Sequence, residues 1–580
     1  MLALIVGWTT LSTAPAVGAE PIKLYFLMDR EPEERPQPER WTLNPQLVPM
    51  WRRALARPES ELKRQAAEAI AMAHTAGHAD EMQVTIPELV SVFTEDKLHP
   101  AARHAAAHAL ISLNHRGSAA TLLEISQNHG KDLRLLVEPA LGEWNYEAIR
   151  PIWRLRIASA RTPRRDLILA IHGLGQQRDA VALQPLLILA MTAEHPADVR
   201  LAAARAAGQI ADHGLEPKTE QLLAHDRGLL LDRLCAVSLI ARHRSERAIT
   251  LHQTMGADAE PAVAAAALRS LFAVDPNLVL PLAESALQNP DANVRRIGIE
   301  TYVALPTPER IQTLSLRLND PHPELRGLVR DSFHALSTDK ALDSAIRQSS
   351  IAILAGTDWR GQEQAALLLA ALDEESIASR LLELLEATRS EVMVTVAWSL
   401  KTIAVADTEA PILVFAKRRT DGAKGFTTSV DFQLAHLIEL LGRLKAVAAT
   451  PLLQPYVPKT FVYGVKSRAA AVWALGVIQE GQVNEPLAKQ LMERVMDTMS
   501  SPPEEYDVRR ASVLTLGRLR ATTQLPALKQ LIGETVDNDL FELTLRQAVL
   551  QISGEVLPIA PPLTFERTGW FLEPTYSEKK

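Results

Sequence analysis

The chain is 580 residues long and sets 62 Lys and Arg against 69 Asp and Glu, a formal net charge of −7. That balance argues against a general polyanion binder, which needs a basic excess to displace counterions from phosphates. Hydrophobic residues make up 47% and aromatics only 5%, so the core must be filled by Ala and Leu rather than by rings. The lone cysteine, Cys235, excludes an internal disulfide, an N-terminal acylation site and haem attachment through C-x-x-C-H; within LCAVSLIA it reads as a core residue.

Taken in chain order, residues 1–19 (MLALIVGWTTLSTAPAVGA) are uncharged, with an apolar run followed by small residues and Val17-Gly18-Ala19 before Glu20. This reads as a secretory signal peptide and predicts a periplasmic or secreted protein, although no Lys or Arg precedes the apolar run. No other apolar run is long enough to cross a membrane. Residues 20–54 include REPEERPQPERW, whose Pro32, Pro36 and Pro38, with Pro45 beyond, predict an extended arm rather than a helix.

From residue 55 to 555 one pattern recurs fifteen times, at spacings of mostly 31 to 41 residues. Clear copies are VRLAAARAAGQI from Val199, VRRIGIETYVAL from Val294, SRAAAVWALGVI from Ser467 and VRRASVLTLGRL from Val508; weaker ones start at Leu62, Ala102, Leu133, Asp166, Leu230, Val263, Leu325, Gly361, Val392, Gln433 and Phe541. Counting the first residue as 0, apolar or small residues fall at 0, +4, +7 or +8 and +11, one stripe of an amphipathic helix. A basic residue recurs at +1 (Lys63, Arg103, Arg134, Arg200, Arg295, Arg326, Arg468, Arg509). An acidic or amide residue at −1 (Asp198, Asp507) is expected to accept hydrogen bonds from the free amides of the first turn. A second Leu-rich helix lies between copies, as in QPLLILAMTA at 184–193, so each unit is a helical hairpin. One hairpin buries too little apolar surface to offset its ordering entropy, so the units must stack.

The pattern resembles the HEAT repeat, and more closely the bacterial phycobilisome-lyase-like subclass with the consensus V-R-x-x-A-A-x-A-L-G-x-I. The resemblance implies an all-α fold, a HEAT-like α-solenoid (α-α superhelix) of about fifteen hairpins, right-handed and without β-sheet. It implies little about activity, because repeat arrays serve many functions. Residues 556–580 are again rich in proline, yet carry Phe565, Trp570, Phe571 and Tyr576, so this tail is expected to dock on its own array or on a partner.

The sequence holds no G-x-S-x-G, H-E-x-x-H, phosphate-binding glycine loop or EF-hand run, and no cofactor is expected. His74 with His78 and His104 with His108 are spaced four apart, but no third ligand accompanies them and no metal site is assigned. Position +6 lies about 240° round the helix and is expected to face solvent, as for His108, His172, Arg205, Arg269, Glu300, Asp331 and Glu439. Trp398 and Trp473 also occupy +6 and read as exposed anchors for a partner, unless the tail or a loop covers them. Unusual segments at 417–431, 454–466 and 499–507 precede second helices and mark one edge. They add Arg418, Arg419, Lys424, Lys459, Phe461, Tyr463 and Lys466 to the candidate site, whose positive charge suits an acidic partner surface.

These features favour a non-catalytic extracytoplasmic scaffold that binds a protein or peptide through the concave face and edge loops of the array. The resemblance implies an alternative, a bilin-lyase-like accessory enzyme or chaperone, against which the leader and the missing nucleophile count. A nucleic-acid binder ranks third, given the acidic balance.

Overall fold

A computed structural model describes residues 22–224, 229–422, 425–534, 539–558, 562 and 564–573. Residues 1–19, read above as a signal peptide, and Lys424 fall outside them. The described residues are helical almost throughout, and all fifteen copies of the repeat fall on the second helix of a helical hairpin. The expected all-α solenoid of repeated hairpins is the fold observed. The chain divides into two compact units: residues 40–301 with 564–580, and residues 302–563 with 1–39. In the first, a continuous core runs from Leu47 to Ala267, built from Ala, Leu, Ile and Val as the composition requires.

The repeat signature has a structural explanation. In most copies the basic residue at +1 is buried or half-buried and caps the end of the preceding first helix, where carbonyls lack intrahelical partners. Arg200 Nε donates to the Ala190 carbonyl at 3.0 Å, Arg509 Nε to Val495 at 2.9 Å and Arg103 Nη2 to Glu95 at 2.6 Å. Arg295 and Arg326 reach Asn289 and Asp320 in the same way, each at 2.9 Å. The guanidinium therefore ties the two helices of a hairpin together. The acidic residue at −1 sits one position inside its helix rather than at the cap: the Asp198 helix starts at Ala197 and the Asp507 helix at Tyr506. It complements the positive dipole end, and side-chain capping falls instead to residues such as Ser245, Asp339, Asp358 and Thr427.

Several second helices end on a left-handed residue. Asn114, Asn145, Arg178, Asp373, Lys445 and Arg520 have φ between 50° and 57°. The amide of the following residue bonds back to a carbonyl five residues earlier, as from His115 to Leu110 and from Ala521 to Leu516. A 3-10 turn then leads into the next first helix, for example Arg116–Ser118 and Thr522–Gln524. Small residues permit close approach of neighbouring second helices. A Cβ on Gly208 would lie 2.2 Å from the Ser238 carbonyl, and one on Gly476 2.6 Å from Thr515 Oγ1. Cys235 is fully buried, and burial pushes its thiol up to about 11.

Two expectations change. The N-terminal arm is not extended to residue 54: Leu47–Leu55 is the first helix of the first hairpin, and its Trp51 is fully buried. Nor is the fold free of strands, because Arg40–Thr42 and Thr564–Glu566 form a two-stranded parallel sheet that pairs Trp41 with Phe565. Proline-rich chain cannot be helical, but where its amides are free it can still pair. The aromatic tail docks on its own array: Trp51 Nε1 donates to the Phe571 carbonyl at 2.7 Å, and Trp570 lies edge-on to Trp51 at 5.8 Å.

Candidate peptide-binding site

The notable site in the second unit is a strip across the second helices Ser390–Ile403, Thr428–Arg443, Val465–Ile478 and Tyr506–Arg518. Residues 22–39 belong to the same unit, and Tyr25–Glu31 (YFLMDRE) lies along this strip. Trp398 and Trp473 are therefore not exposed; their exposures are 2% and 5%. The helical-angle argument located their face, but that face is covered by the N-terminal segment. Tyr25 stands edge-on to Trp398 at 6.0 Å, and Trp473 Nε1 donates to Glu31 Oε1 at 3.0 Å.

Glu439, expected in solvent at +6, is fully buried for the same reason. Its Oε2 pairs with Lys401 Nζ at 3.0 Å, and its Oε1 accepts the Met28 amide at 3.0 Å. Lys401 also donates to the Tyr25 carbonyl, and to His436 Nδ1 at 3.2 Å. Burial lowers the Lys401 pKa, against the pull of Glu439. Burial, aided by the Lys401 charge, lowers His436 to about 4, so the imidazole is neutral at pH 7 and can accept from the ammonium. The Phe26 ring stacks on this imidazole at 4.3 Å and meets Phe432 edge-on at 5.5 Å.

Further along, Arg510 grips the segment by its backbone, donating to the carbonyls of Met28 at 2.9 Å and Glu31 at 2.6 Å. Its second terminal nitrogen lies 2.7 Å from Asp29 Oδ1. Lys466 bridges Asp29 at 3.2 Å and Asp507 at 2.8 Å. Arg518 pairs with the Glu31 carboxylate and lies 5.2 Å over the Trp473 ring. The strip thus reads main-chain amide and carbonyl groups, one buried ring and two carboxylates.

Of the residues singled out from sequence, the structure brings Trp398, Trp473 and Lys466 into this strip. Arg418 and Arg419 instead pair with Glu386, the latter at 3.2 Å, from the last turn of the Glu409–Asp421 helix. Lys459 links two edge loops through Asp497 at 2.7 Å and Ser500 at 2.6 Å. Tyr463 stacks on buried Tyr456 at 4.2 Å, whereas Phe461 is 79% exposed. Sequence reasoning missed Lys401, His436, Glu439, Arg510, Arg518 and the segment itself. The available signal was two adjacent aromatics, Tyr25 and Phe26, in an otherwise proline-rich arm.

Among the described residues no group of three or more His, Cys, Asp or Glu is arranged to hold a metal ion, and no helix is long and apolar enough to cross a membrane. His104 and His108 are exposed on their helix, as expected of solvated positions.

No curated protein matches the sequence. Residues 465–539 match the family model of the HEAT-like repeat. Among solved structures, Kap95p in its complex with RanGDP aligns with a TM-score of 0.51 at 12% identity, covering 88% of this chain and 72% of that one. Yeast importin-beta (Kap95p) gives 0.43 at 12% identity, with 88% and 72% covered. The CpcE–CpcF phycocyanin lyase complex from Nostoc gives 0.28 at 18% identity, over 42% of this chain and 94% of that one. Residues 465–539 thus carry a HEAT-like repeat, and the recurring hairpins of the chain share their fold with Kap95p.

Proposed function

We propose that the protein is a non-catalytic scaffold outside the cytoplasm that binds a protein or peptide partner along the second helices of its C-terminal repeats. HEAT solenoids are typically protein-binding scaffolds. The observation that carries the reading for this chain is the strip between Trp398 and Arg518, which holds the short segment Tyr25–Glu31 by its main chain as well as its side chains. Arginines and lysines that take an acidic segment by its carboxylates are a recurring mode of peptide recognition. The edge loops supply adjoining surface, with Phe461 79% and Met499 93% exposed on the two loops that Lys459 ties together. Export rests on residues 1–19 and is tested by sequencing the mature N-terminus, expected at Glu20.

Binding is tested with a photo-cross-linking residue in place of Lys466 in the full chain, expressed in its own host. A discrete protein adduct that is lost with Arg510→Ala supports the scaffold. A bound chromophore, or nucleic acid retained in a salt-sensitive way, points to the accessory-enzyme or nucleic-acid alternatives and removes it.

A further inference from the structure

We propose that Tyr25–Glu31, in which Met28–Arg30 form a 3-10 turn, occupies, in cis, the site of a partner's acidic segment of the form aromatic-x-x-Asp-x-Glu that takes the same turn, and that partner binding displaces it. The inference rests on the scaffold reading and names its ligand class. Three observations carry it. First, the contacts specify a pattern rather than a unique sequence. Main-chain groups of Tyr25, Met28 and Glu31 are bound by Lys401, Glu439 and Arg510, which any chain making the same single 3-10 turn satisfies. Side-chain selection is confined to the ring of Phe26 on His436, the Asp29 carboxylate between Arg510 and Lys466, and the Glu31 carboxylate on Arg518 and Trp473.

Second, the strip remains electrostatically sound when the segment leaves. Lys401 keeps Glu439 and Lys466 keeps Asp507, so emptying it hydrates paired groups instead of stranding buried charges. Arg510, which bonds the segment three ways, becomes the free cation that captures the next acidic chain.

Third, the charges of strip and segment are complementary. A protein with a net charge of −7 gathers Lys401, Lys466, Arg510 and Arg518 along one strip, and its occupant presents Asp29 and Glu31 to them. Ion pairs of this kind, half-exposed on the segment's side, exchange readily with an equivalent competitor.

The test uses a fluorescent YFLMDRE peptide and a control with Asp29→Asn and Glu31→Gln, added to the full chain. The Phe26→Ala/Asp29→Ala protein, whose own segment is weakened, should bind YFLMDRE about tenfold more tightly than the unaltered protein and the control about tenfold less. Adding Arg510→Ala should remove the binding. No binding to the weakened protein, or equal binding of both peptides, overturns the proposal. Should that variant fail to fold, amide exchange in the unaltered protein decides: YFLMDRE, but not the control, must accelerate exchange across residues 25–31. Unchanged exchange overturns it. A cross-linked partner that YFLMDRE does not displace sinks this inference and leaves the scaffold reading standing. Peptide binding with no partner adduct sinks the scaffold reading instead.

Discussion

Both terminal segments dock on the repeats, and they do so by opposite chemistry. The C-terminal segment places Trp570 against fully buried Trp51 and pairs three residues with Arg40–Thr42, so apolar burial and backbone hydrogen bonds hold it. The N-terminal segment buries Phe26 and Met28 but is otherwise held by Lys401, Lys466, Arg510 and Arg518. Apolar burial does not respond to salt screening or to pH in the neutral range, whereas charged contacts respond to both. The tail therefore behaves as part of the core and the arm as a bound ligand. The +6 face teaches the same lesson: His108, His172, Arg205 and Arg269 are exposed there in the first unit, while Trp398, Glu439 and Trp473 are buried in the second because a segment covers them.

The largest expected effect breaks the comparison on its apolar side. Trp51→Ala removes the ring at the centre of the tail's dock and should cost about 3–5 kcal/mol, seen as an earlier denaturant midpoint for the first unit. Trp51→Phe keeps most of the burial but loses the bond to Phe571, and should cost about 1 kcal/mol. A loss near zero for Trp51→Ala would mean that the tail is not integral. On the polar side, Arg510→Ala should weaken arm docking by about 2 kcal/mol, roughly thirtyfold in amide-exchange protection of residues 28–31. Raising the salt concentration should act in the same direction on the arm and leave exchange in the tail unchanged.

A pH profile sharpens the comparison. His436 is held at about 4 beneath Phe26, facing Lys401 and Glu439 on the helices and Asp29 and Arg30 near Lys401 on the arm. In an open strip the imidazole regains water and returns toward its ordinary value of 6.5. Between those values the open state takes up a proton that the docked state refuses. The stabilisation is thus fully present above pH 6.5 and is lost progressively as pH falls toward 4. Amide exchange of residues 25–31 should accelerate over that window, and His436→Gln should remove this component of the profile. Identical profiles for the two proteins would discard His436 as the responsible group.

The array was legible in the sequence because its stabilising chemistry is periodic. Arg200, Arg295 and Arg326 hold the same position in their copies and cap the end of the preceding first helix, so the recurrence of a single residue type reveals the hairpin. The binding strip was only half legible. Helical geometry placed Trp398 and Trp473 correctly off the apolar stripe, yet what covers them comes from some 370 to 440 residues away, as in the bond from Lys401 to Tyr25 and that from Trp473 to Glu31. No local pattern encodes a contact of that separation. Lys401 and Arg510 look like ordinary surface charges until the segment that accepts their hydrogen bonds is in place. Arg418 and Arg419, on the last turn of the Glu409–Asp421 helix, lie apart from the strip and pair with Glu386 on the neighbouring hairpin.

The smallest expected effect separates stability of the array from docking on it. Arg520 ends the Tyr506–Arg518 helix in the left-handed region, with φ 51°, where a Cβ crowds the backbone and glycine does not. Its side chain is exposed, and its own amide bonds to Gly517 while that of Ala521 closes on Leu516. Glycine keeps these main-chain bonds and relieves the crowding, partly offset by its greater freedom in the unfolded chain. Arg520→Gly should therefore stabilise the second unit by about 0.5–1 kcal/mol in denaturant titration. Arg510 and Arg518 stay in place on the same helix, so amide exchange in residues 25–31 should not change. If exchange there slows in step with the gain in stability, the arm unfolds with the array and is no independent ligand.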